Sequence, residues 1–133
     1  VDDEAVVSVR GEADIVQARQ RGRALAAELG FSSGDQALIA TAISELARNI
    51  VNYAGDGEIT IEVERTPARA GVVVVARDHG PGIADVGLAM QDGYSTGGGL
   101  GLGLPGTRRL MDEFAIDSEL GRGTTITTRK WVR

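Results

Sequence analysis

The 133 residues predict a two-layer α/β sandwich, a mixed sheet with its helices packed on a single face. Three observations carry that reading. Residues 58–64 alternate strictly, with Ile59, Ile61 and Val63 on one side and Glu58, Thr60, Glu62 and Glu64 on the other, the mark of a strand buried on one face only. Two segments, 15–29 and 33–53, repeat apolar residues at helical spacing and so present one inward face each. Thr66-Pro-Ala-Arg-Ala-Gly71 reads as a hairpin loop, which joins neighbouring strands directly and rules out a doubly wound βαβα order.

In chain order, 5–9 is a short strand, and Asp14 is placed to cap a helix over 15–29 that stops at Gly30. Ile15, Ala18, Gly22, Leu25, Ala26 and Leu29 form its inner side. Ser33 with Gln36 three residues on predicts a capping box for the second helix, with Gly55 as its end. Leu38, Ile39, Ala42, Ile43, Leu46, Ala47 and Ile50 make the apolar face of that helix. The β-branched run 72–77 is a central strand, and 86–90 a short helix. A helix opening at Pro105 or Gly106 turns Leu110, Met111 and Phe114 inward. Strands over 115–120 and 124–132 follow, joined by a tight turn at Gly121-Arg122-Gly123.

Composition bounds the chemistry. One domain, 1–133, fits this length. With a net charge of −5 and no basic cluster beyond Arg108-Arg109, a nucleic-acid partner is not expected. There is no cysteine and His79 is the only histidine, so neither thiol catalysis nor an ordinary zinc site is expected. The longest apolar run is too short for a bilayer, which makes no membrane and a cytoplasmic location the expectation. Thirteen arginines stand against one lysine, Lys130.

Polar residues break the pattern at three places. Glu45 and Asn49 are four apart on the second helix, at the border of its apolar face. Helix geometry alone leaves two readings, solvated side chains or a functional pair. Asp78 ends the most buried strand and is followed by Gly80 and Gly82, which let a ligand approach the backbone. Its carboxylate suits an exocyclic amine such as that of adenine, and an ordinary turn aspartate is the other reading. Gly97-Gly-Gly-Leu-Gly-Leu-Gly-Leu104 carries five glycines in eight positions just before a helix, where exposed amides bind phosphate oxygens. A bare linker would not interleave Leu100, Leu102 and Leu104 so regularly. No GxxxxGK[ST] and no protein-kinase signature occurs, and no G-x-G-x-x-G follows the first strand, so charge on a triphosphate falls to Mg²⁺, backbone amides and arginine. Asn49 is a suitable oxygen ligand for that Mg²⁺.

Taken together, these motifs resemble the GHKL superfamily of gyrase, Hsp90, histidine kinase and MutL ATPases, which bind ATP in the Bergerat fold. Glu45-x-x-x-Asn49 matches the N-box, Asp78-x-Gly80-x-Gly82 the first glycine box, and Gly99-Leu100-Gly101-Leu102-Gly103-Leu104 the second. A second box at 97–102 is the alternative register. Gly121-Arg-Gly-Thr124 matches the late G-x-G-T, whose threonine, here Thr124, joins the aspartate at the adenine. Within the superfamily, 43–50, Tyr94-Ser-Thr96, Gly103-Leu-Pro-Gly106 and 110–114 are similar to the serine/threonine switch kinases of bacterial partner-switching stress modules (stressosomes). Leu102 and Asn52 depart from that pattern. The resemblance implies ATP and Mg²⁺ as cofactors and STAS-domain proteins as substrates. It also implies a PP2C-type phosphatase as the partner bound after release. Glu45 would orient or deprotonate the incoming hydroxyl. An anti-sigma factor kinase and a nucleotide-gated binding module without transfer activity are the rival readings. Arg48 is expected only to make a surface salt bridge.

Overall fold

The computed structural model describes residues 4–83, 90 and 103–133. The chain order is β1 (Glu4–Val9), α1 (Glu12–Leu29), α2 (Ser33–Tyr53), β2 (Gly57–Arg65), β3 (Ala70–Asp78), α3 (Gly103–Leu110), β4 (Glu113–Glu119) and β5 (Gly123–Trp131). The five strands form one sheet in the order β1-β2-β3-β5-β4. The short helix expected over 86–90 and most of the glycine segment lie outside the described residues.

The sandwich is as expected, but the sheet is antiparallel rather than mixed, because all four pairings run antiparallel. The route between β3 and β4 explains this. β4 returns in the same direction as β3 but one strand position away, and β5 folds back by hairpin into the gap between them. Two parallel strands are therefore present without ever bonding to each other.

The row across the middle of the sheet's inward face is apolar. Val7 faces Ile59, Ile59 faces Ala76 and Ala76 faces Ile126 across the ladders, and all four join the core formed with α1 and α2. Ile15, Ile39, Ile43, Leu46 and Ile50 supply the helical half of that core and are buried. Burying each such side chain contributes about 1.5–3 kcal/mol. The opposite face carries a charged network instead of a second helical layer. Arg129 bridges Glu64 at 2.6 Å and Glu113 at 2.8 Å, and Arg69 stacks 3.7 Å above the Trp131 ring.

Four helix boundaries differ from expectation. α1 begins at Glu12 with Gly11 as its N-cap, so Asp14 lies inside the first turn. There its carboxylate accepts the Arg10 amide at 2.8 Å, meeting the upstream backbone rather than capping ahead of it. α2 is capped by Ser32, not Ser33: Ser32 has the extended backbone a cap requires, and its Oγ accepts the Asp35 amide at 3.1 Å. Gln36 donates its amide to the Phe31 carbonyl at 2.9 Å. α3 begins at Gly103 and stops at Leu110, earlier than expected at both ends, which leaves Phe114 in β4. Phe114 still turns toward the core, now by strand alternation instead of helical spacing. The stops at Gly30 and Gly55 are as expected, with Gly55 donating to the Ile50 carbonyl at 2.9 Å.

Candidate active site

The strand period puts Asp78 on the inner face of β3, in line with Val72, Val74 and Ala76 but at the open end of the row. In register it stands between Gly57 of β2 and Thr124 of β5. Asp78 Oδ1 accepts the Gly80 amide at 2.9 Å and the Thr124 amide at 3.3 Å. These two bonds hold the carboxylate in place and fold the chain after β3 back over it.

Glycine is required around this carboxylate for reasons of space. A Cβ on Gly57 would stand 2.9 Å from Ile50 Cγ2 and 3.1 Å from Asp78 Cβ, and one on Gly80 would stand 2.7 Å from the Ala54 methyl. Gly82 adopts φ 78 and passes directly against the Glu119 carbonyl, where an L side chain is both strained and blocked. Ile50 and Ala54 thus bring the C-terminal half of α2 against the Asp78 end of β3.

Asn49 directly precedes Ile50 on that stretch and is half-buried. Glu45 lies one turn earlier, its side chain 14% exposed. The Arg48 guanidinium reaches Glu45 Oε1 at 3.2 Å. Arg48 therefore makes the salt bridge expected of it, and the partner is Glu45 itself. Neighbouring Ser44 is buried and donates its hydroxyl to the Ala40 carbonyl at 2.9 Å, so it faces α2 rather than the site.

At the other side, Thr124 is buried and its hydroxyl lies 2.8 Å from Ser118 Oγ. Ser118 also meets the Ile83 amide at 2.8 Å and the Gly123 carbonyl at 3.2 Å. This residue ties the segment after Asp78 to the β4–β5 hairpin, and sequence reasoning missed it. A signal was present, since Ser118 continues the inward row of Phe114 and Ile116 with a polar group.

Of the second glycine box, Gly99, Leu100, Gly101 and Leu102 lie outside the described residues. Gly103 opens α3 at φ 71, a conformation that favours glycine. The Leu104 side chain is buried in the core, which leaves its backbone as the part able to meet a ligand. Thr107, also buried, donates to the Gly103 carbonyl at 2.9 Å and stiffens this first turn.

The arrangement offers one fixed carboxylate at a strand end, a half-buried carboxylate and carboxamide on α2, and a glycine-opened helix. Among the described residues no group of three His, Cys, Asp or Glu side chains is placed to hold a metal. None of their helices is long and apolar enough to cross a membrane.

Comparison with known proteins assigns the architecture. Residues 34–132 match the model of the histidine kinase-, DNA gyrase B- and HSP90-like ATPases. The chain belongs to this ATPase family. Among curated members, it is 54% identical to the serine/threonine-protein kinase RsbT of Bacillus subtilis (strain 168) over all 133 residues, the whole of both chains. It is 32% identical to an anti-sigma F factor of Caldanaerobacter subterraneus subsp. tengcongensis, over 82% of this chain and 79% of that one. The mycobacterial sensor histidine kinase MprB shares the fold, with a TM-score of 0.59 at 19% identity, over 90% of this chain and 92% of that one. Family membership and the full-length likeness make this ATPase-family chain an ATP-dependent protein serine/threonine kinase.

Proposed function

We propose that the chain phosphorylates serine or threonine on STAS-domain scaffold and antagonist proteins, and that once released it binds and activates a PP2C-type phosphatase in the cytoplasm. The observation that carries this reading is the likeness to a serine/threonine-protein kinase, 54% identical over the whole of both chains compared. Two of the residues proposed for the chemistry, Asp78 and Thr124, pair across the end of β3.

The residues present fit a nucleotide. Asp78 is held by two backbone amides with its base against side-chain-free Gly57 and Gly80, which suits a flat donor such as adenine. In this reading Thr124, kept in place by Ser118, completes the base site, and the amides of Gly99–Leu104 meet the phosphates. Asn49 would hold Mg²⁺ through its side-chain oxygen; one protein ligand is ordinary for this ion, which keeps waters and takes phosphate oxygens. Bound ATP with Mg²⁺ supplies the γ-phosphoryl group and offsets its charge. Glu45 accepts the proton of the incoming hydroxyl and aims its oxygen, while Arg48 restrains the carboxylate.

The test is incubation with ATP-Mg²⁺ and candidate STAS proteins, followed by mass spectrometry of those proteins. A phosphorylated serine or threonine is expected, and its absence with every STAS candidate would remove the substrate assignment. The anti-sigma F factor relatives favour a second reading, in which the captive is a sigma factor. A pull-down retaining a sigma factor and no phosphatase would reverse the order.

A further inference from the structure

Lys130 is the single lysine of a chain with thirteen arginines. It lies on the inner face of β5, opposite Val72, with its side chain only 7% exposed. An ammonium buried there is costly unless its donors are matched. Its Nζ donates to the Leu110 carbonyl at 2.9 Å and stands 3.8 Å from Asp112 Oδ1. Leu110 is the last residue of α3, so this carbonyl is one that the helix itself leaves unpaired, at the end whose dipole favours a cation. Asp112 strengthens the same corner. It accepts the Trp131 amide at 2.8 Å and an Arg133 nitrogen at 2.7 Å, and its own amide donates to the Arg129 carbonyl at 2.9 Å. The C-terminal end of α3 is therefore fastened to the end of β5.

The opposite end of this eight-residue helix is Gly103, a member of the second glycine box. A helix of this length spans about 12 Å and behaves as a rigid rod, so fixing one end fixes the aim of the other. We propose that Lys130 is a positioning residue for nucleotide: by holding the Leu110 carbonyl it points the N-terminal amides of α3 toward the phosphates. This rests on the nucleotide site described under Proposed function. Phosphate at one end and ammonium at the other complement the same helix dipole. A compact ammonium suits a buried gap with one carbonyl and one carboxylate, where a guanidinium would bring five donors to satisfy.

The uniqueness of Lys130 makes the test direct, because lysine labelled with ¹³C at Cε yields one side-chain signal. ATP-Mg²⁺ is expected to move that signal, while adenosine at saturation leaves it in place. Lys130→Met is expected to weaken ATP binding about tenfold in calorimetry, with adenosine affinity kept within about twofold. Val72→Ala, a core truncation opposite Lys130, serves as the stability control: it should lower the melting temperature without changing the ratio of ATP to adenosine affinity. A signal unmoved by bound ATP, or equal weakening of both ligands in folded Lys130→Met, overturns the proposal. Should that variant fail to fold, the labelled wild-type chain decides. If the wild-type chain binds neither ligand, the nucleotide site itself falls, and this proposal with it.

Discussion

Asp78 and Glu45 are both carboxylates at the edge of the core, and their different surroundings suit the two roles proposed for them. Asp78 is tied to two backbone amides and faces a glycine on the neighbouring strand, a setting for recognition of a flat ligand. Asp78→Asn keeps the shape but replaces a charged acceptor. Its expected effect is a roughly ten- to hundredfold loss of ATP affinity, the usual value of a charge-assisted hydrogen bond; calorimetry with unchanged binding would take Asp78 out of the base site. Among the described residues Glu45 is met by Arg48, within its own helix and at one carboxylate oxygen. Glu45→Ala is expected to leave ATP affinity within about twofold while phosphoryl transfer falls about 10²- to 10⁴-fold. Phosphate still appearing on a protein substrate at the wild-type rate would exclude Glu45 as the base. The sequence made both carboxylates legible as candidates. What it could not supply is the Thr124 amide on Asp78, a partner distant along the chain.

At the scale of elements, the ends were less legible than the middles. The faces of α1 and α2 follow from periodicity, but a serine pair at 32–33 offers two caps, and only backbone conformation selects Ser32. Ser32→Ala should therefore cost about 1 kcal/mol in denaturant unfolding, and Ser33→Ala much less. The outer sheet face carries a second prediction. The Trp131 indole N–H, and after it the Arg129 guanidinium, hold the Glu113 carboxyl below its ordinary value. A carboxyl depressed in the folded chain stabilises above its unfolded pKa, and that contribution disappears as pH falls through the lowered folded value. Glu113→Gln should then flatten the acid limb of a plot of melting temperature against pH. An acid limb identical to that of wild type would show that the network contributes nothing to stability.

For the whole molecule, the question is how one layer of helices on an antiparallel sheet brings the end of α2 and the β4–β5 hairpin to the Asp78 end of β3. β3 lies at the centre of the sheet, and α2 crosses its end where Ile50 and Ala54 meet Gly57 and Gly80. The β4–β5 hairpin then folds Thr124 onto Asp78 from the other side. An assembly organised this way leaves the kinase reading testable at the level of partners. Capture of a PP2C-type phosphatase after, and not before, phosphorylation of a STAS protein is the expected order, checked by pull-down at successive times. Retention of the phosphatase without prior phosphorylation would break the proposed switch.

The sequence by itself determined the strand and helix faces and the four boxes, because periodicity and glycine placement are local properties of the chain. From them came the sandwich, the ATPase family and the candidate residues. The tertiary structure alone decided that the sheet is antiparallel throughout, since strand order depends on where β5 inserts, and no local pattern records that. It also decided that Ser118 supports Thr124, that Arg48 holds Glu45, and that the lone lysine fastens the end of α3. The Ser118 and Lys130 contacts join residues from different elements. Their bonds form only once register is set, which is a property of the packed sheet rather than of any segment within it.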